Sequence, residues 1–513
     1  MGKYKHNPGN GQKWLSYVDE LFVLDINISR SGFEGFTLVN VVDEKETRGS
    51  TLNELVELIG NLHKIYDLRE VTDRLIIYVD NLELIRVLFQ DYRTDLWKEQ
   101  NPLLVECGSI EFRSWKKFIR NDPVPILRYW GEVFRKSKFP YFSSSHEKRK
   151  EINKVAKGKA SSVFPSDIRQ LDVIEAAVHG GVLYNRPEEG IINNLLGFDI
   201  CSAYIHSLIF KKHASTEMIQ TNPGKWSDYL RSNDKGSIGV YRITYNSIFS
   251  SIRCFRDNQR NTLETGEHTV DITLSNLDLR ILLDTIYPGV SSIQCLVLYT
   301  FELDYLPEEF RKFCAEEFIK KESLPKGTVA YTVQKIRLNG GFFGNLLYDA
   351  KRLSEIKDAG ERRHELKRKK REAAMAPQWG IFTIAHARSS VYAVGLNVCG
   401  WHYSDTDSVY CDDDSYNRNL VRDFNQRVRN ENIELCHFLG YDQMFGEDAL
   451  KLLDLGTFKL EAEIKQFRAW GTKIYAYETI EGKVIQKASG YDKEKLPYDA
   501  EIVFNPDYKP TAR

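Results

Sequence analysis

The chain has 513 residues, with 71 Lys and Arg against 72 Asp and Glu for a net charge of -1, and 42% of it is hydrophobic. This length predicts roughly two to four domains with a sizeable core, in the manner of an ordinary soluble globular protein. There is no run of about 18 apolar residues for a membrane span, no apolar stretch after Met1 for a signal peptide, and no C-x-x-C among 8 scattered cysteines. Neither a disulfide framework nor a zinc site is indicated, no membrane is expected, and a cytoplasmic location, in a bacterium or an infected host, is the natural reading.

From residue 18 to about 185 short apolar strands alternate with helical stretches. Leu21 to Ile28, Phe36 to Val42 and Leu75 to Val79 read as strands, with a helix near Leu52 to Ile65, so an α/β domain is expected. Val178-His179-Gly180-Gly181 closes this region. Next, Gly197-Phe198-Asp199-Ile200-Cys201-Ser202-Ala203-Tyr204-Ile205 reads as a short strand ending in an aspartate, then a turn into a helix. Cys201 is expected to pack there.

Lys212 to about Asn261 reads as a polar insert, and Leu306 to Tyr348 as two helices broken at the turn signal Pro325-Lys326-Gly327. On the second of these, Lys335 and Asn339 are four apart and share a helical face, where a cation suits a triphosphate. Asp349 to Pro377 reads as charged helix, with most of its cations between Arg362 and Arg371. Two readings of that run stand, a solvated helix or a contact to DNA. Since nucleic-acid affinity rests on local Lys and Arg contacts to phosphates, the low net charge does not exclude a DNA partner.

Tyr403-Ser404-Asp405-Thr406-Asp407-Ser408 is the most informative stretch. A tight turn is expected between two strands, crowding Asp405 and Asp407 at its tip; crowded carboxylates repel, and hard oxygen donors call for magnesium or manganese. A solvated acidic turn is the alternative. Asp199 offers a second carboxylate source. Lys459-Leu460-Glu461 follows, then Gly471-Thr472-Lys473-Ile474-Tyr475-Ala476-Tyr477, a basic and aromatic segment of a kind that holds a nucleic-acid backbone. The polar ending from Asn505 to Pro510 promises little core.

Taken together and in order, these segments resemble the family B DNA polymerases, most of all the compact phage and viral branch that includes the protein-primed enzymes. Asp199 to Ile205 resembles the family's D-x-x-S-L-Y-P, Lys335 onward its K-x-x-x-N-S-x-Y-G, Tyr403 to Ser408 its Y-x-D-T-D-S, and Lys473 to Tyr475 its K-x-Y. Val178 to Gly181 is similar to the Y-x-G-G linker between exonuclease and polymerase halves. The resemblance spans roughly residues 175 to 490.

It implies an α/β and α+β multidomain fold: a right-hand polymerase of palm, fingers and small thumb behind an N-terminal RNase H-like exonuclease-type domain. The expected divisions are 1–185 for the exonuclease-like domain, 186–304 and 378–470 for the palm, 305–348 for the fingers, 349–377 for a charged helical insert and 471–513 for the thumb. The palm is expected as one antiparallel sheet backed by helices.

The implied chemistry is primer extension with dNTPs using two ions of Mg2+ or Mn2+. Asp199 and Asp407 would bridge the metals with the carbonyl of Ile200, and Asp405 would be a nearby third carboxylate. The Ser202, Ala203 and Tyr204 backbone would cradle the triphosphate, with the Tyr204 ring as steric gate. Lys335 would meet the phosphates with Asn339 and Phe342 beside the base pair, and Lys321 is either a second phosphate ligand or a surface lysine. His179, Gly180, Gly181, Thr406, Lys473 and Tyr475 would contact DNA, while Lys459 and Glu461 brace the palm.

Three departures from the family pattern matter. Around Gly340 to Gly344, either Phe342 stands for the motif tyrosine or the loop carries one extra residue. Among the exonuclease carboxylates Asp25 is kept, but Asn27 and Ile85 stand where the second and third belong, so loss of 3′→5′ proofreading is expected. After Asp349 a helix replaces the branch's second insertion, which leaves strand displacement open, while residues 212–261 correspond to its first terminal-protein region. The expected partners are template-primer DNA, dNTPs and either a terminal protein or another replication partner, with no membrane. Priming by a terminal-protein hydroxyl, a nucleic acid or de novo all stand, and a catalytically silent scaffold in a replication complex is the alternative to an enzyme.

Overall fold

The computed structural model describes residues 21–29, 32–41, 43–65, 75–89, 97–101, 104–107, 110–115, 123–128, 144–185, 190–246, 267–286, 290–471, 473–488, 497–505 and 507–510. The end of the expected insert, 247–261, and Thr472 lie outside them. The chain divides into two compact units, Met1–Glu147 with Ser323–Arg337, and Lys148–Glu322 with Leu338–Arg513.

In the first unit, β1 (Leu21–Ser29), β2 (Gly32–Asn40), β3 (Glu46–Gly49), β4 (Leu75–Val79), β5 (Trp97–Asn101), β6 (Leu104–Cys107) and β7 (Ile110–Ser114) form a seven-stranded sheet of order β3-β2-β1-β4-β7-β6-β5. β4 runs parallel to both β1 and β7. It is buried along its whole length, as a parallel central strand covered on both faces must be. Because strand side chains alternate, the two faces feed two cores. Phe22, Leu24, Ile77 and Val79 pack on one side with Leu55 and Ile59 of the helix Leu52–Ile65. On the other, Val23, Ile76 and Tyr78 pack with Ile126, Leu127 and Val333 of the helix Val329–Leu338.

The second unit adds β8 (Val182–Asn185), β9 (Ile192–Ile200), β10 (Lys212–Ala214), β11 (Ile219–Thr221), β12 (Lys235–Asn246), β13 (Glu267–Ser275), β14 (Val290–Tyr305), β15 (Tyr403–Thr406), β16 (Ser408–Asp412), β17 (Phe458–Gly471), β18 (Ile474–Thr479) and β19 (Val484–Ala488). They form two antiparallel sheets, where one was expected. One has the order β10-β14-β12-β13 with β11 also on β14; the other runs β19-β18-β17-β9-β16-β15-β8. The stretch that reads as a polar insert contributes β12, the centre of the first sheet, with Ile238, Tyr241, Ile243 and Tyr245 fully buried. From Val240 to Tyr245 its residues alternate, with Arg242 and Thr244 on the more open face, which adds to the polar count of the stretch.

Phe198 and Ile200 of β9 share a core with Tyr241 and Ile243 of β12 and with Val391 and Tyr392 of the helix Pro377–Gly395. Residues 148–185 belong to this unit, not to the N-terminal one as the expected boundary near 185 has it. The cause is the packing of Ile152, Phe164, Leu171 and Ile174 with Leu208 and Ile209. The C-terminal stretch also has more core than its composition suggests: Val503 and Phe504 pack on Ala476, and the Trp470 indole N–H donates to the Tyr508 carbonyl at 3.1 Å.

The charged stretch after Asp349 forms the helix Ala359–Glu372, docked by Leu366. Several of its cations are taken up inside the chain: Arg362 pairs with Asp172, Lys369 with Asp349 and Lys370 with Glu217. Among the described residues no helix is long and apolar enough to cross a membrane.

Candidate active site

β9 carries a buried run, Leu195 to Phe198, and ends in the half-buried Asp199 and buried Ile200. Asp199 pairs with Ser408 of β16 on one side and with Lys459 of β17 on the other. The chain then turns sharply. Ser202 takes a left-handed conformation, φ 49° and ψ 54°, and starts the helix Ala203–Phe210 without capping it by its own side chain. The Ser202 hydroxyl accepts instead from Nζ of Lys321, 3.3 Å away. First-turn amides of a helix have no intrahelical acceptor, so this end suits an anion. Lys321 is buried, lies over the Phe318 ring and pairs with Glu322 at 2.7 Å, so it is no idle surface lysine. Burial pushes the Cys201 thiol up, which leaves it a packing group.

The Asp405–Asp407 turn is tight and strained. The Asp407 N–H donates to the Asp405 carbonyl at 2.8 Å across Thr406, whose φ is 69°. Such a γ-turn is costly for a β-branched residue, and strain of this kind clusters at functional sites. Ser408 ties the turn from inside: the Asp405 N–H donates to its Oγ at 3.0 Å and its hydroxyl donates to the Asp405 carbonyl at 3.2 Å. The Thr406 hydroxyl donates to Oδ1 of Asp405 at 3.0 Å. The Ile200 N–H donates to the Asp407 carbonyl at 2.9 Å, bringing the two aspartate motifs together.

Tyr204 joins them electrostatically: burial, then the negative charge of Asp407, push its phenol up to about 12. It therefore stays a neutral hydroxyl at any working pH.

Lys473 sits across from the turn, with a left-handed φ of 62°. Its N–H donates to the Tyr403 hydroxyl at 2.8 Å and its Nζ lies 3.9 Å from Oδ1 of Asp405. Of five non-glycine residues with positive φ among those described, Ser202, Thr406 and Lys473 all belong to this neighbourhood. Tyr475, expected at the DNA, is buried with its ring 4.8 Å from that of Tyr403 and its hydroxyl 3.3 Å from that of Tyr410, so it braces the sheet under the turn.

Other expected site residues fall differently. His179 is buried with a ring nitrogen 2.7 Å from the Thr273 carbonyl. Phe342, expected beside the base pair, is fully buried against Phe310 and Phe313. It lies in a π-helical turn, Asn339–Phe343, the form that one inserted residue gives a helix, which favours the extra-residue reading. Asn339 is exposed, as is Lys335, which belongs to the first unit. Lys459 and Glu461 are exposed on β17.

Sequence reasoning missed two residues outright. Arg388 and Asp278 are both buried and paired at 2.6 Å. The one available signal was an arginine inside the apolar helix Pro377–Gly395, which demands a buried acid somewhere.

No protein-family model matches the sequence, and no curated protein is significantly similar to it. Solved structures are another matter. The fold is similar to that of Phi29 DNA polymerase. The ternary complex with primer-template DNA and incoming nucleotide aligns over 94% of each chain with a TM-score of 0.62 at 12% identity. The post-translocation binary complex aligns over 92% of this chain and 93% of the other, with TM-score 0.62 at 13% identity, and the complex with single-stranded DNA over 93% of each, with 0.60 at 12%. At this identity the likeness is one of fold, a mixed α/β multidomain architecture.

Among the described residues no group of three His, Cys, Asp or Glu side chains is arranged to hold a metal ion. The candidate donors are hard oxygens: the Asp199 carboxylate at the end of β9, which pairs there with Ser408, and the Asp407 carboxylate between β15 and β16, one residue before that partner. That donor set fits Mg2+ or Mn2+ and not zinc.

Proposed function

We propose that the protein is a DNA-directed DNA polymerase that extends a primer hydroxyl with dNTPs. The observation that carries this reading is the bond from Ile200 N–H to the Asp407 carbonyl, which joins the two aspartate motifs at the centre of a sheet within a fold similar to Phi29 DNA polymerase. In this reading the sheet β19-β18-β17-β9-β16-β15-β8 is the palm floor, the helices Glu308–Glu322 and Val329–Leu338 are the fingers, and the chain after Gly471 is a small thumb.

Asp199 and Asp407, with the Ile200 carbonyl, would hold two Mg2+ or Mn2+ ions, which when bound lower the cost of the attacking and leaving oxygens' charge. The chain's own residues do the rest by positioning and electrostatics. The amides of Ser202, Ala203 and Tyr204, with Lys321, take the triphosphate. Asn339 would lie beside the nascent base pair. The neutral Tyr204 ring stands where a ribose 2′-hydroxyl would clash. Lys473 serves the primer terminus, held ready near Asp405, and Thr406 with the Gly180-Gly181 linker guides DNA.

The first unit keeps Asp25, exposed on β1, but carries Asn27 on that strand and Ile85 in its core. Holding two cations about 4 Å apart takes several carboxylates, so we read this unit as an inactive exonuclease. A polymerase without proofreading suits replication of a phage, viral or mobile-element genome, started from a nucleic-acid or terminal-protein hydroxyl.

Primer extension on matched DNA and RNA templates with dNTPs and Mg2+, without accessory proteins, tests the reading. Extension on DNA is expected. Binding of template-primer with no extension under Mg2+ or Mn2+ would turn the assignment to a silent scaffold, and preference for RNA templates would also overturn it.

A further inference from the structure

Arg388 is 1% exposed in side chain and Asp278 0%. The guanidinium gives Nε and Nη2 to Oδ1 of Asp278 at 2.9 and 2.6 Å, and Nη1 to the carbonyls of His179, at 2.8 Å, and Gly180. Asp278 is fixed in turn, its Oδ2 accepting from the Ser275 hydroxyl at 2.8 Å. Two consecutive carbonyls of the linker are thus clamped by one planar, always-charged fork. A buried pair of this kind is costly to break, because either partner alone is an uncompensated charge.

The next residue, Gly181, lies directly against the strained turn. A Cβ there would sit 2.7 Å from Cγ2, 2.9 Å from Cα and 3.1 Å from the carbonyl oxygen of Thr406. β8 then pairs Val182 with Thr406 and Leu183 with Asp405. A left-handed threonine persists only where its surroundings hold it, and this backbone is one of the walls that do so.

We propose that Arg388 is a positioning residue for nucleotidyl transfer: paired with Asp278, it clamps the His179 and Gly180 carbonyls so that Gly181 and β8 keep the Asp405–Asp407 turn in its strained, metal-competent shape. It touches no substrate and acts through the linker. The inference rests on the polymerase reading above.

The test compares wild type with Arg388→Lys, which keeps the charge and loses the fork, and Gly181→Ala, which adds one methyl beside the turn and leaves the buried pair alone. Single-nucleotide incorporation gives kcat and KM, gel shift gives primer-template affinity, and electron paramagnetic resonance of Mn2+ reads metal binding without turnover. Displacement of the turn is expected to lower kcat by about ten- to a hundredfold. KM for dNTP should stay near wild type, and Mn2+ binding should weaken. Should Arg388→Lys fail to fold, Gly181→Ala carries the test alone. Wild-type kcat and Mn2+ binding in a folded Gly181→Ala protein, or a change confined to KM, overturns the inference while wild-type extension leaves the polymerase reading standing. Absence of extension by the wild-type protein overturns both.

Discussion

The amide of Ile200 donates to the carbonyl of Asp407 at 2.9 Å. The bond is made by main chain alone, so it registers the end of β9 against the carboxylate turn whatever side chains the aspartates carry. Asp407→Ala should therefore keep the fold and the DNA affinity while primer extension falls on the order of 10³-fold or more, the scale of losing a principal electrostatic contributor. Wild-type extension by this variant, in the same gel assay, would remove Asp407 from the reaction.

Thr406 holds a left-handed conformation that glycine adopts freely. Thr406→Gly should stabilise the protein by about 1 kcal/mol net of the added chain entropy. It should also slow incorporation, since the hydroxyl bond to Asp405 is lost and the turn loosens. Urea unfolding and kcat on one preparation check both signs; a less stable or equally active variant contradicts stored strain at this position.

Tyr403→Phe removes the acceptor for the Lys473 N–H. The expected cost is about 1 kcal/mol of stability, with weaker primer-template affinity and an unchanged KM for dNTP. If affinity for DNA stays at the wild-type level, the Tyr403 bond does not set the Lys473 backbone for the primer.

Placing a carboxylate at residue 85, where the proposed exonuclease reading would have one, should fail. Ile85 is 0% exposed among Phe22, Leu24 and Ile77, so Ile85→Asp buries a charge and should cost about 3 kcal/mol or more. No shortening of a labelled mismatched primer is expected from wild type or variant with Mg2+ and no dNTPs. Stepwise shortening by wild type that disappears on changing Asp25 would show a working proofreading site.

The buried His206 and His213 and the half-buried His386 make the second unit sensitive to acid. Burial, in each case the largest cause, lowers His206 from 6.5 to about 3, His213 from 6.5 to about 4, and His386 well below 6.5. Folded values below the unfolded one mean that their contribution is whole above pH 6.5 and is lost as pH falls toward 4. Each should lower unfolding free energy by up to about 1.4 kcal/mol per pH unit across that window. Urea midpoints at pH 7.5, 6 and 5 should fall accordingly, and His206→Asn should flatten the slope; a pH-independent midpoint contradicts neutral burial.

The carboxylates were legible because a strand ending in Asp199 and an Asp-Thr-Asp turn are local patterns. So were three of the seven described strands of the first unit, where apolar runs such as Leu75 to Val79 are unbroken. What could not be read is what depends on partners distant in sequence. Asp278 and Arg388 are 110 residues apart in the chain and neither has a local signature. β12 was hidden in a polar stretch because only its second half, Val240 to Tyr245, alternates, and its pairing partners β13 and β14 lie further along the chain. Tyr475 and Phe342 matched motif positions by residue type, while their burial is decided by neighbours such as Tyr403 and Phe310 that no motif includes.

Val333 sits in the core made by Val23, Ile76, Tyr78, Ile126 and Leu127, on the same helix that carries Lys335. A protein trimmed at Glu147 would leave that helix with an open apolar face and nothing to seat it. Residues before Glu147 therefore cannot be cut away without unseating the helix Val329–Leu338, and any attempt to make a shorter version of this protein must first redesign Val329 and Val333.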